Sequence, residues 1–584
     1  SEGASHPGAA ATRNVFRIRA LEPLDHAPRK NLRWPLRSEP AGTGRFRSYL
    51  IDFGRTVVGC PEIQITGCAG GEMADLAHYE TIDPARLRPD VDLDAHSRPA
   101  LGCRVICRPG TNRHRFFLPY GFRYAVLTLR NTTRTVRTSL TLHTIGYPLA
   151  VRGSFASSDA GLNRIWTACA HTQRVCMLDA YVDTPWREQA QWWGDARVTC
   201  QNTFHLANDP RLMRRGIRSI AGQRVPNGLT YGHAPTVAHG CILPDFALIW
   251  IITLWDFFWQ TGDLEPFHAH QDCLEGILGY FRSRTDPRTH LAASDPRYWL
   301  FLDWTTLHRQ GFSSVLNLWL LLALEKTAEL HRRSGQDGPA RRLAQWARKL
   351  RTSLRSLIGR DGLMRDGRST DGRIVQMASV HSQTLALMAG LHAGSERAML
   401  EKRLLPWIRE ERVFEAQPSA YWATYVFRVL QERGYAADVV RFIRKHWEPM
   451  ADYGSTWENF APRRGADSFS HAWSAHPIAH FAQILGGVTQ TGPAWTVIRF
   501  APALLTDSGR VRIPTPQGMI SSAWRRRGDG AFDVRLQLPP GTEAEIVLPR
   551  TRALCRGGVH RWQVLRGNTD DATLSGPAPY GAAS

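Results

Sequence analysis

Asp183-Thr184-Pro185-Trp186-Arg187-Glu188-Gln189-Ala190-Gln191-Trp192-Trp193-Gly194-Asp195 places three carboxylates, one arginine and three tryptophans within thirteen positions. Asp183 stands just before Pro185, the pattern of an N-capped helix start. An Asp side chain accepts an orphan amide there, and Pro is tolerated in the first turn. Glu188 and Asp195 are seven apart and would share a face if the helix ran on. Gly194 instead predicts a break at Asp195. Acids beside flat indole faces suit a sugar, because carboxylates accept hydrogen bonds from hydroxyls and indoles stack on the apolar face of a pyranose. The same residues also fit a capped helix with buried tryptophans and an Arg–Glu pair.

On the N-terminal side, residues 1–35 are rich in Ala, Gly, Pro and Arg and read as a loose leader. Residues 36–152 carry short alternating runs, among them Arg47 to Phe53, Glu62 to Ile65 and Tyr124 to Leu129, with Gly-rich turns between them. Period-2 alternation of this kind predicts strands, here of a β-sandwich. Asp52-Phe53-Gly54-Arg55 and Phe122-Arg123-Tyr124 read as structural turns.

On the C-terminal side, residues 153–487 read as helices of about 15 residues separated by Gly- and Pro-containing loops. Ser158-Asp159 caps a run ending near Met177. Phe246 to Trp259 is apolar on nearly all sides and predicts a buried helix. Ser314 to His331, Pro339 to Ile358 and Ala436 to His446 are amphipathic. So many helices suggest a helical toroid. Strands return over 488–570, in Thr496 to Phe500, Phe532 to Leu538 and Glu543 to Leu548, with Pro539-Pro540-Gly541-Thr542 read as a turn. A second β-sandwich fits them, and residues 571–584 read as a disordered tail.

A second carboxylate of interest lies far along the chain, in Gly454-Ser455-Thr456-Trp457-Glu458-Asn459-Phe460, followed by Ser468-Phe469-Ser470-His471-Ala472-Trp473. Together with the 183–195 stretch, these runs resemble the bacterial α-L-rhamnosidases, glycoside hydrolase family 78. In that family an Asp opens the first motif, a Glu follows an Arg, and Trp-x-Gly-Asp closes it. Many members read Arg-Asp-Glu-Arg where this chain has the shorter Arg187-Glu188-Gln189, which leaves Glu188 as the one candidate acid there. The resemblance extends over roughly residues 45 to 560. It implies a multidomain protein with a mainly α, (α/α)6-barrel catalytic domain flanked by N- and C-terminal β-sandwich domains. It also implies inversion of anomeric configuration, with Glu188 as general acid and Glu458 as general base. Burial beside Trp186 or Trp192 would keep the acid protonated. Asp183 and Asp195 would hold sugar hydroxyls, and Arg187 would orient a carboxylate. Trp192, Trp250, Asp303-Trp304, Trp457 and His471 complete the expected sugar site. His381-Ser382-Gln383 resembles a helix start packed on the barrel.

Composition bounds the partners. The 584 residues exceed one ordinary core, so two to four domains are expected. The formal net charge of +21 is compatible with nucleic acid, a membrane surface or a polyanionic glycan. The arginines are scattered, however, and no zinc-finger spacing or RNA-binding aromatic signature accompanies them, so no nucleic-acid role is expected. No run is apolar for long enough to span a bilayer. The ten cysteines show no metal spacing and read as separate thiols, although Cys60–Cys68 or Cys103–Cys107 would be close enough to bridge. His233 and His239 read as rim histidines, because no carboxylate completes a site around them. Neither metal nor cofactor is expected. The sequence starts at Ser1 and shows no signal peptide, which fits a processed or trimmed start and leaves export and oligomeric state open. The expected partner is a rhamnose-containing glycoside or polysaccharide. The rival readings are a glycosidase of the same architecture acting on another sugar, a polysaccharide lyase, and a non-catalytic glycan binder.

Overall fold

The computed structural model describes residues 11–12, 17–21, 29–32, 34–83, 102–236, 241–392 and 394–565. The chain divides into two compact units. One joins Ser1–Ala150 with Thr167–Ala190 and Pro449–Ala475, and the other joins Val151–Trp166, Gln191–Glu448 and His476–Ser584.

The first unit is built on a sheet whose spine is the strand Phe46–Cys68. That strand pairs antiparallel with Val136–Thr144 and with Tyr120–Arg130. Met73–Tyr79 and then Gly102–Ile106 continue the sheet beyond Tyr120–Arg130. Alternation buries one side of each strand, so that Ile51, Ile63, Ile65, Phe122, Ala125 and Leu127 share one core. Asp52-Phe53-Gly54-Arg55 is not a turn. The strand runs through it, with a shift of register between Asp52 and Val57. Gly54, at φ 76°, donates its amide to Asp52 Oδ1 at 2.8 Å, so a left-handed residue absorbs the extra chain as a bulge without reversing it. Phe122-Arg123-Tyr124 likewise lies within the strand Tyr120–Arg130. The segment read as a loose leader contains strands Ala11–Thr12, Arg17–Leu21 and Arg29–Leu32, the second paired with Ser48 to Asp52. The expected tail at 571–584 lies outside the described residues.

Between residues 151 and 485 the chain is mainly helical. Asp159 Oδ1 accepts the Leu162 amide at 3.1 Å at the start of Ala160–Val175. Pro244–Thr261 is buried almost throughout and stops at Gly262 in the left-handed region, as a largely apolar run closed by glycine should. Ser314–Arg333 and Ala436–Tyr453 contain two of the amphipathic runs, and Asp337–Arg355 covers most of the third but stops short of Ile358. The second unit also holds a sheet ordered Ser154–Ser157, Ser508–Thr515, Gly518–Arg526, Phe532–Leu548, Val497–Phe500 and Val488–Gln490, with Thr551–Val564 on Phe532–Leu548. Pro539-Pro540-Gly541-Thr542 is another bulge where a turn was expected. Prolines have no amide to give, so the ladder to Thr551–Val564 lapses between Leu538 and Glu543 and then resumes in the same direction. All ten cysteines are free thiols, so neither close pair is bridged. Among the described residues no helix is long and apolar enough to cross a membrane.

Candidate active site

The 183–190 segment is a closed loop and not a helix start. Asp183 N–H donates to the Ala190 carbonyl at 2.9 Å, and the Ala190 amide returns to Asp183 Oδ1 at 3.0 Å. Gln189 takes φ 52° to complete the turn. Asp183 therefore ties the loop shut instead of capping a helix. The helix begins later, as Trp193–Ala207, with Asp195 in its first turn. Gly194 does not break it, because a Cβ there would lie 2.5 Å from the Phe246 ring and the glycine serves close packing. Glu188 and Asp195 thus share no helix face. The loop rests on the N-terminal sheet at Gly121, whose amide donates to the Pro185 carbonyl at 3.0 Å. A Cβ on Gly121 would lie 2.4 Å from that same oxygen.

Residues 456–471 present the second carboxylate. The Glu458 amide donates to the Ser468 carbonyl at 2.9 Å, and the His471 amide to Thr456 O at 2.8 Å, so two loop segments are tied together. Ser468 N–H also donates to Glu458 Oε2 at 2.8 Å, and Trp473 Nε1 donates to the Glu458 carbonyl at 2.9 Å. Arg187 joins the two acids. Its Nη2 donates to Glu458 Oε2 at 2.6 Å, and its Nη1 pairs with Glu188. Burial works against the Arg187 charge, but the carboxylates of Glu458 and Glu188 hold it fully cationic. Glu458 is buried, and burial raises its pKa against the pull of Arg187 and the Ser468 amide, with the Glu188 charge adding to the rise. Burial was expected at Glu188 beside Trp186 or Trp192. The structure buries Trp186 but leaves Glu188 exposed.

Trp457 is half-buried, with its ring centroid 5.2 Å from Phe469. His471 lies 4.2 Å from the Trp473 ring, and burial followed by the Arg187 charge keeps its imidazole neutral. A further acid, Glu80, joins this group unannounced by any motif. It is fully buried, and its Oε2 accepts the Phe469 amide at 2.7 Å. The available signal was strand periodicity. Ala74, Leu76 and His78 face the core, and Glu80 is the next residue in that row.

The other predicted residues belong to the second unit. Asp303 is fully buried and its oxygens are occupied. Oδ2 accepts from His381 Nε2 at 2.8 Å and the Ser419 amide at 2.9 Å, and Oδ1 from the Trp304 amide at 2.8 Å. Trp304 is 51% exposed and lies beside Phe301 and the equally open Trp299. Trp250 has no exposed face, and its Nε1 donates to the Ile217 carbonyl at 3.1 Å, so it is a core residue and not a stacking surface. Trp192 is half-buried against His233, at 4.3 Å, and Asp195 is buried. His381 lies in the first turn of Val380–Met388, which Ser379 caps. His239 lies outside the described residues. Among the described residues no three His, Cys, Asp or Glu side chains group as a metal site.

Residues 151–485 match the model of the bacterial alpha-L-rhamnosidase six-hairpin glycosidase domain, and residues 487–563 match that of the bacterial alpha-L-rhamnosidase C-terminal domain. The chain belongs to the bacterial alpha-L-rhamnosidase family. Among solved structures, it is similar to the family 78 rhamnosidase of Bacillus sp. GL1, with 24% identity over 88% of this chain and 54% of that one, at a TM-score of 0.78. It is similar to a Streptomyces avermitilis alpha-L-rhamnosidase solved with L-rhamnose, with 17% identity over 88% and 52%, at 0.72. A Klebsiella oxytoca rhamnosidase with rhamnose bound gives 18% identity over 80% and 94%, at 0.65. At these identities the likeness is one of fold. The chain spans little more than half the length of the Bacillus and Streptomyces enzymes. No curated protein matches it. Within this rhamnosidase-family chain the two motif acids fall in the unit that carries the N-terminal sheet, although both lie within the stretch matched by the six-hairpin model.

Proposed function

We propose that this protein is an α-L-rhamnosidase that hydrolyses terminal α-L-rhamnosyl residues with inversion. Glu188 acts as general acid and Glu458 as general base. The observation that carries the reading is the Arg187 guanidinium, which joins carboxylates 270 positions apart in the sequence into one cluster. Two carboxyls flanking a glycosidic bond are the minimal machinery: one protonates the leaving oxygen and the other activates water. Exposure suits Glu188, since the acid must meet a leaving group and regain a proton from solvent. A raised pKa makes Glu458 the stronger base, provided it is ionised, and Arg187 and the Ser468 amide favour that form. Asp183, Trp457 and His471 are assigned to sugar contacts around this pair. We assign sugar binding also to Trp192, Asp195 and Trp304, and to Asp303 only through the main chain it fixes. The reaction needs no cofactor.

The finer architecture belongs to the same reading: an (α/α)6 barrel over 153–487 and β-sandwiches over 36–152 and 488–570. The long bent strand Phe46–Cys68, paired with several partners, supports the first sandwich. The basic charge suits an acidic rhamnose-containing polysaccharide.

Two rhamnosides with different leaving groups test the roles. A dinitrophenolate departs unaided, whereas an ordinary alcohol needs a proton. Glu188→Ala should lose about 10²–10⁴-fold on the alcohol-leaving glycoside and much less on the dinitrophenyl one. Glu458→Ala should slow both alike. One observation favours the reverse assignment, namely that the buried acid with the raised pKa is Glu458. Rescue by the good leaving group in Glu458→Ala, and not in Glu188→Ala, would establish that reversal. Activity within tenfold of the parent in both variants would defeat the carboxylate pair. Early proton NMR should show β-L-rhamnose, and early α-anomer would exclude inversion.

A further inference from the structure

We propose that Glu80 is a positioning residue for Glu458, acting through the backbone of Ser468 and Phe469. The inference rests on the reading of Glu458 as a reacting carboxylate. Consecutive amides of one segment hold the two acids: Ser468 N–H donates to Glu458 Oε2 at 2.8 Å and Phe469 N–H to Glu80 Oε2 at 2.7 Å. The next residue is fixed as well, with Ser470 Oγ donating to Thr56 Oγ1 at 2.6 Å and lying 3.0 Å from Ser455 Oγ.

Glu80 is itself immobile. It directly follows the strand Met73–Tyr79, and its carbonyl accepts the Tyr453 hydroxyl at 2.6 Å. Arg123 Nη1 in turn donates to the Tyr453 carbonyl at 2.8 Å and stacks on the Tyr453 ring. A frame of sheet backbone is thus transmitted by one carboxyl to the segment that sets Glu458. Removing that carboxyl leaves the Phe469 amide without an acceptor and frees the segment to shift. Misplacement by about 1 Å is enough to cost about 100-fold in rate.

The charged groups that bear on Glu80 are Arg187 and Glu458, with the Tyr453 phenol and the Ser470 hydroxyl beside it. Its Oε1 has no hydrogen-bond partner among the described residues, so a negative charge there would stand unsatisfied. Burial pushes its carboxyl up to about 8, against the Phe469 amide and the Arg187 charge. Glu80 is therefore protonated at neutral pH. As it ionises, its charge acts on Arg187 and opposes the charge of Glu458.

The test uses the full chain, an aryl α-L-rhamnoside, and the variants Glu80→Ala, Glu80→Gln and Glu458→Ala. Glu80→Ala should lose about 10–100-fold in kcat with KM within about twofold, and Glu80→Gln, whose amide oxygen still accepts the Phe469 amide, should regain most of the loss. The parent should show an alkaline decline in kcat near pH 8 that Glu80→Gln lacks. The Gln comparison stands even where the Ala variant does not fold. If Glu458→Ala is inactive while Glu80→Ala keeps kcat within twofold, the inference fails and the active-site reading survives. If the Gln and parent pH profiles superimpose, it fails likewise. If Glu458→Ala remains active, the active-site reading has failed, and the positioning role goes with it.

Discussion

Glu458 and Asp303 are both carboxylates buried within helical-domain sequence, and both sit beside a tryptophan in the chain. Asp303 accepts hydrogen bonds from His381 Nε2, the Ser419 amide and the Trp304 amide. Glu458 instead shares one guanidinium with Glu188, and its ionised form is opposed by burial and by the Glu188 charge. An acid fully engaged by donors is part of the frame. An acid whose charged form is contested has a proton equilibrium that a reaction can use.

Substitutions separate the two. Glu458→Ala should abolish about 10²–10⁴-fold of the activity while costing less stability, because Arg187 keeps Glu188 as a partner. Asp303→Ala leaves the buried His381 Nε2 and Ser419 amide without this acceptor and should cost about 2–6 kcal/mol, read as a fall in the denaturant midpoint. Equal stability losses in the two variants would erase the distinction.

A smaller effect is expected at Gly121, on which the acid loop rests. A Cβ there meets the Pro185 carbonyl at 2.4 Å, so Gly121→Ala must displace the loop. A destabilisation of about 1–3 kcal/mol is expected, with a fall in kcat of roughly tenfold. A full-rate variant would show that the loop finds its place without this contact.

The last difference is a pH slope in stability. Glu80 has a pKa of about 8 when folded against 4.5 as an ordinary glutamate, so between these values the folded chain holds a proton that the unfolded chain has released. The stability this proton gives is complete below the unfolded value and is lost as pH rises through the folded one. Gln has no such proton. The Tm of Glu80→Gln relative to the parent should therefore rise between about pH 5 and about pH 8. A constant difference would mean that Glu80 is not protonated in the folded protein.

Much of this was legible from residues alone. The helices at 160–175, 244–261, 314–333 and 337–355 follow their apolar periods and caps, and the strands their alternation. Both motif acids and Arg187 were visible, since an Arg–Glu step among tryptophans is a local pattern. The errors were made where a short-range signal had a long-range answer. Gly54 and Pro539-Pro540 read as turns, but pairing with neighbouring strands resumes beyond each, which makes it a bulge and not a reversal. Asp183 read as a helix cap, but its carboxyl finds the Ala190 amide first. Trp250 read as a sugar platform, yet burial on all sides makes it core.

The sequence by itself determined the family, the order of strand-rich and helix-rich regions, and the identity of two acids and one arginine. These depend on residue type and on periods of two and 3.6, which are properties of neighbours in the chain. Only the tertiary structure decided which acid is buried, that Arg187 joins Glu188 to Glu458, and that Glu80, just past the end of a distant strand, lies near them. Burial and a hydrogen-bond partner are set by what the folded chain brings up from elsewhere. No window of sequence contains both Glu80 and the Phe469 amide that holds it.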